Sequence, residues 1–100
     1  MEVKYYECHV TVNPVFGEQL ERFTKLAQEF GFKPAKLLMQ KRAEDTPERS
    51  AKDTFCTAHD KEFDKIEGRM RSVCTLLVDS GFTVYRNKIE AVILDERHAT

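Results

Sequence analysis

Two histidines, each two positions from a threonine, are the residues of this sequence best suited to chemistry. His9 is followed by Val10-Thr11, and His59 is preceded by Thr57-Ala58. Imidazole titrates near neutral pH, so one ring can accept a proton while another donates one. A threonine hydroxyl two residues along an extended chain points the same way as the histidine and can hold a phosphoryl oxygen. Tyr5, Glu7 and Phe55 fall on the same alternating positions. The candidate set is therefore His9 and His59 as acid and base, with Tyr5, Glu7, Thr11, Phe55 and Thr57 as ligand-binding neighbours.

These residues need strands to aim them, and the sequence supplies two. From residue 3 to 12, Tyr6, Cys8, Val10 and Val12 alternate with Tyr5, Glu7, His9 and Thr11, the period of a half-buried strand. From 53 to 59, Thr54, Cys56 and Ala58 alternate with Phe55, Thr57 and His59. Between and after them run two amphipathic stretches. Phe16, Leu20, Phe23, Ala27 and Phe30 form one stripe at helical spacing, with Asn13 as the expected N-cap and Gly31 as the stop. Phe63, Ile66, Met70, Val73 and Leu77 form the other, with Asp60 as cap and Gly81 as stop. A second strand is expected from Phe32 to Lys41, at an edge because Pro34 lacks an amide donor. A last strand is expected from Phe82 to Leu94, followed by a hydrophilic tail. Residues 41–53 hold four positive and four negative charges with Pro47 and no apolar period, and read as a solvated, mobile loop.

Sliding the sequence by fifty residues superposes the halves 3–41 and 53–94. Phe16 falls on Ile66, Leu20 on Met70, Phe23 on Val73, Ala27 on Leu77, Gly31-Phe32 on Gly81-Phe82, and His9 on His59. This reads as an internal duplication of a β-α-β unit. Two such units in tandem predict one α+β domain over residues 1–100, a ferredoxin-like β-α-β-β-α-β fold. Right-handed crossovers give an antiparallel four-stranded sheet of order 4-1-3-2 with both helices on one face. The opposite, open face would carry the candidate set, with Lys36, Lys41, Arg42 and Arg86 at its rim.

His9-Val10-Thr11-Val12 resembles the histidine–apolar–threonine–apolar motif of the two-histidine phosphoesterase superfamily, whose members are built from two duplicated lobes. The second motif here runs in reverse, Thr57-Ala58-His59, and the chain is about half as long as a typical member. The resemblance implies phosphoester chemistry with His9 and His59 as acid and base and Thr11 and Thr57 gripping the phosphate. The residues alone leave open whether the domain is an enzyme. Other readings are RNA binding by base stacking on Tyr5 and Phe55, and a metal set of Glu7, His9 and His59 that lacks a fourth ligand. A further one is a non-catalytic interaction or homodimerisation domain, in which the long last strand is a candidate edge and Lys88, Glu90 and Asp95 would blunt pairing.

Composition narrows the partners. With 100 residues, 41% hydrophobic and 33% charged, the chain has the makeup of a folded domain. A net charge of −1 argues against strong nucleic-acid binding through phosphate electrostatics, but not against an anionic small molecule in a local basic pocket. No apolar run is long enough to span a membrane and no signal peptide is recognisable. Cys8, Cys56 and Cys74 lack disulfide or metal spacing, so they read as core thiols in a reducing cytoplasm, and no cofactor is implied. The Arg69-Met70-Arg71 run reads as a solvated helix face.

Overall fold

The computed structural model describes residues 2–34 and 54–93. Its elements are β1 (Val3–Val12), α1 (Glu18–Gln28), β2 (Lys33–Pro34), β3 (Thr54–Asp60), α2 (Phe63–Asp79) and β4 (Val84–Ile93). The strands form one sheet of order β2-β3-β1-β4, with every neighbouring pair antiparallel. Read from the β4 edge, that order is β4-β1-β3-β2. Pro34 lies in the edge strand β2, where its missing amide leaves no gap in an interior ladder. The expected continuation of β2 to Lys41, the charged loop 41–53 with Lys41 and Arg42, Lys36, and the tail from Leu94 lie outside the described residues.

The alternation of β1 and β3 fixes which face is dry. Cys8, Val10, Val12, Cys56 and Ala58 are buried together with Leu20, Phe23 and Ala27 of α1 and Ile66, Val73 and Leu77 of α2. Both helices therefore cover the same side of the sheet. Thr54 is also fully buried on this side, and its Oγ1 accepts a hydrogen bond from the Val15 amide at 3.1 Å, as a buried hydroxyl requires.

Both helices end in the same way. The amide of Phe32 donates to Ala27 O and that of Gly31 to Gln28 O, while Phe82 donates to Leu77 O and Gly81 to Val78 O. Each is a Schellman closure, and it requires the left-handed backbone that Gly31 (φ 76°) and Gly81 (φ 96°) adopt. Phe32 and Phe82 then turn into the core, each with an arginine of the non-adjacent helix over its ring: Arg69 over Phe32 and Arg22 over Phe82, both at 5.7 Å. Residues 21–34 and 71–84 repeat the same sequence of buried, half-buried and exposed positions throughout.

Several expectations need correction. Asn13 is not the N-cap of α1. That position belongs to Gly17, whose φ of 56° and ψ of −128° suit glycine, while the Asn13 amide bonds to Thr83 O. Phe16 and Phe30 consequently flank α1 rather than lie within it. Asp60 ends β3 and accepts the Glu62 amide at 3.0 Å in an Asx turn, so Glu62 is the N-cap of α2. Phe63 is 42% exposed rather than core, because it lies at the first turn of α2 and meets only the edge of the Tyr6 ring.

Arg69 is not part of a solvated face either. It sits three residues after the buried Ile66, and its guanidinium reaches across to α1. It donates to Phe30 O at 2.9 Å, Gly31 O at 3.2 Å and His59 O at 2.8 Å, and meets the Asp60 carboxylate at 3.5 Å. A planar fork of donors suits this cluster of acceptors, where a lysine would offer a single point charge.

Candidate functional site

The face of the sheet away from the helices is a grid in which β1 is the middle column. The ladder registers set Glu90, Glu7 and His59 in one row, Lys88, His9 and Thr57 in the next, and Arg86, Thr11 and Phe55 in the third. Tyr5 lies one row further along β1, opposite Val92. All seven candidate residues thus share one face, and β4 adds a cation or a carboxylate to each of the three rows above.

Charges on this grid are arranged in sequence across it. Glu7 and Glu90 stand directly opposite each other, which would be unfavourable alone. His9 Nε2 lies 2.7 Å from Glu7 Oε1 and 3.8 Å from Glu90 Oε1, and Lys88 Nζ lies 3.1 Å from Glu90. His59 Nε2 lies 3.6 Å from the other Glu7 oxygen. A carboxylate oxygen accepts, so in the His9–Glu7 hydrogen bond the ring Nε2 is the donor. Two aromatic rings flank the imidazoles: Tyr5 meets His59 edge-on at 5.5 Å, and Phe55 lies 6.3 Å from His9.

Two hollows lie on this face, one on each side of Glu7, whose carboxylate the Nε2 atoms of both histidines approach. His9, Thr11 and Phe55 line a shallow cleft of about 230 Å³ with Arg86 and Lys88. Tyr5 and His59 line a separate depression of about 440 Å³ with Asp60 and Lys61. Glu7 stands between them, and Thr57 lies opposite His9 in the register without lining either hollow. Tyr5 and Phe55 are not neighbours. Phe55 pairs with Thr11, six positions along β1 from Tyr5, a separation of about 20 Å at the rise of an extended strand.

The second depression has its own electrostatics. The Asp60 carboxyl is held below its ordinary value, chiefly by the hydrogen bond from the Glu62 amide and further by the Arg69 guanidinium. The cysteines take no part in either hollow. Cys8 and Cys56 are fully buried on the helix side, and burial pushes each thiol up to about 12. Burial also raises Cys74. Among the described residues no group of three or more histidine, cysteine, aspartate or glutamate side chains is arranged to hold a metal ion.

Lys88 lies on the edge strand as expected and, beyond that expectation, also lines the cleft. The signal lay in the alternation of Arg86, Lys88 and Glu90, which puts all three on the same side of β4. Its significance depends on β4 lying beside β1, which no local pattern reveals.

Neither family models nor curated proteins give a match to this chain. No described helix is long and apolar enough to cross a membrane.

Proposed function

We propose that the domain binds a small anionic ligand, a phosphate or phosphate monoester, in the cleft formed by His9, Thr11, Phe55, Arg86 and Lys88. The observation that carries this reading is the composition of that cleft: two cations, a hydroxyl and an imidazole around one aromatic ring. Among the described residues Arg86 has no ion-pair partner, and its guanidinium fork suits two phosphoryl oxygens. Lys88 adds a point charge, and the Thr11 hydroxyl a further donor. Phe55 offers a surface for a planar or apolar substituent on the phosphate. The chain's net charge of −1 does not oppose this, because the basic groups are gathered in one place.

The architecture behind the site we read as ferredoxin-like and internally duplicated. Its support is the strand order, the matched burial of 21–34 and 71–84, and the twin Gly-Phe helix stops. On that reading His9 and His59 are duplicate positions with different fates. Phosphoester cleavage by a histidine pair needs both imidazoles over one phosphoryl group. Here both Nε2 atoms approach the Glu7 carboxylate, which stands where a phosphoryl group between the rings would have to sit, so binding is the function we assign, with His9 as the ring that meets the ligand. Stacking of adjacent bases on Tyr5 and Phe55 is disfavoured by their separation.

The test is a residue-resolved NMR titration with inorganic phosphate, an aryl phosphate and a cyclic nucleotide. Saturable shifts at His9, Thr11, Phe55, Arg86 and Lys88, larger than any at His59, are expected. Absence of shifts with all three compounds, or shifts centred on Tyr5 and His59, would overturn the assignment. Hydrolysis of the cyclic nucleotide that requires His59 as well as His9 would restore the two-histidine mechanism.

A further inference from the structure

β4 is an edge strand of ten residues, and its outer side pairs with no other described strand. Such an edge is a template for another strand, and proteins usually guard it with charges or bulges. Here the ladder to β1 is irregular only near the two ends of β4, between Val3 and Tyr5 and between Thr11 and Val12 on β1, which leaves Arg86 to Val92 regular. The guarding charges, Lys88 and Glu90, are opposite in sign and two residues apart on one face.

We propose that two copies of this chain associate by antiparallel pairing of their β4 strands about a two-fold axis at Ile89. In antiparallel pairing, directly opposed residues point to the same face. An axis through Ile89 sets Lys88 against Glu90 of the second copy and Glu90 against Lys88 of the second copy, two opposite-charge pairs on the open face. It also sets Ile89 against Ile89 of the second copy on the helix side of the sheet, within the regular part of β4. Moving the axis to Lys88 keeps two unlike pairs, Arg86 with Glu90, but sets two lysines directly against each other between them, a like-charge contact the Ile89 axis lacks. Moving it to Glu90 opposes two glutamates, and moving it to Asn87 opposes Arg86 to Lys88. Directly opposed like charges are unfavourable, and directly opposed unlike charges and apolar pairs favourable. Among registers centred on residues 87 to 90, the charge pattern thus selects Ile89. The occupant of this edge is a second copy because Lys88 and Glu90 flank Ile89 symmetrically, so the edge meets its own reverse with unlike charges opposed. The product is one continuous eight-stranded sheet with both open faces on the same side. This association stands independently of the ligand reading.

Charge reversal tests the register. Sedimentation velocity over a dilution series is expected to show a monomer–dimer equilibrium for the parent chain. Lys88→Glu and Glu90→Lys each set like charges opposite one another and should weaken association tenfold or more, whereas the double reversal Lys88→Glu with Glu90→Lys should restore it. In a Cys74→Ala background, Ile89→Cys should cross-link to its own counterpart under mild oxidation, and Asn87→Cys should not. A chain that stays monomeric at all concentrations, or a dimer indifferent to the single reversals or not restored by the double one, would overturn the proposal.

Discussion

Glu7 offers one carboxylate oxygen to His9 Nε2 at 2.7 Å and turns the other toward His59 Nε2 at 3.6 Å. The carboxylate therefore competes with any anion for His9. It also places negative charge beside a cleft that Arg86 and Lys88 make positive. Glu7→Gln is expected to tighten binding of inorganic phosphate several-fold while changing stability by less than about 1 kcal/mol, since the pair is partly solvated. Calorimetric titration and urea unfolding of the variant measure the two quantities.

Removing the cation should have the opposite effect. Arg86→Ala is expected to weaken phosphate binding about ten- to hundredfold, the range for a lost charge-assisted pair. Its unfolding midpoint should stay near that of the parent, because Arg86 is exposed. Unchanged phosphate affinity in this variant would remove the guanidinium from the site.

Arg69 should matter through the backbone. Its loss to alanine strips a donor from three carbonyls at once and is expected to cost roughly 2–4 kcal/mol, with little rescue by lysine. Gly31 tests the same contact from the other side. A Cβ there would stand 2.6 Å from Arg69 Nη2, on a guanidinium held by the bonds of its Nε and Nη1 to Phe30 O and His59 O, while a Cβ at Gly81 meets nothing within 4 Å. Both glycines have left-handed backbone, so both alanine variants are strained. Gly31→Ala should nevertheless be the more destabilising of the two in urea, and the difference should shrink when Arg69 is also removed.

The core gives a pair of contrasting truncations. Phe23 is fully buried, and Phe23→Ala is expected to cost about 3–5 kcal/mol. Phe63→Ala should cost clearly less, because that ring is 42% exposed. Equal losses in chemical denaturation would mean that Phe63 contributes more than its packing suggests.

The buried thiols make stability fall in alkali. An unfolded chain releases the Cys8 and Cys56 protons near 9.0, whereas the native chain retains them until about 12. Their contribution is whole below the unfolded value and is lost as pH rises from there through the native one, since over that interval the unfolded state binds fewer protons. Each thiol adds a slope of roughly 1.4 kcal/mol per pH unit. Urea midpoints should drop steeply above about pH 9, and replacing both residues by alanine should flatten the decline. Neither thiol should react with a disulfide reagent in the native protein at neutral pH.

What could be read from the sequence was whatever one segment settles by itself. The alternation of β1 and β3 put His9 and His59 on the same face, and the Gly-Phe pairs located both helix stops. Asn13 failed as a cap because a glycine four positions later reaches a backbone conformation that asparagine rarely adopts. Arg69 escaped notice because its carbonyl partners lie in the turn after α1 and on β3. The division of the histidines between two hollows arises from Arg86, Lys88, Asp60 and Lys61 around them, and such company is decided by register between distant segments.

Register between distant segments also orders events in time. Cys8 and Ile89 are partners in the ladder although most of the sequence lies between them. Contacts of that span close a large loop before they return any stabilisation, which slows folding and makes it concerted. Of the cleft residues proposed to bind phosphate, His9, Thr11 and Phe55 come from β1 and β3, and both cations come from β4. Affinity for phosphate would therefore be acquired at the moment the last strand docks, making the ligand a reporter of completed folding rather than of any earlier intermediate.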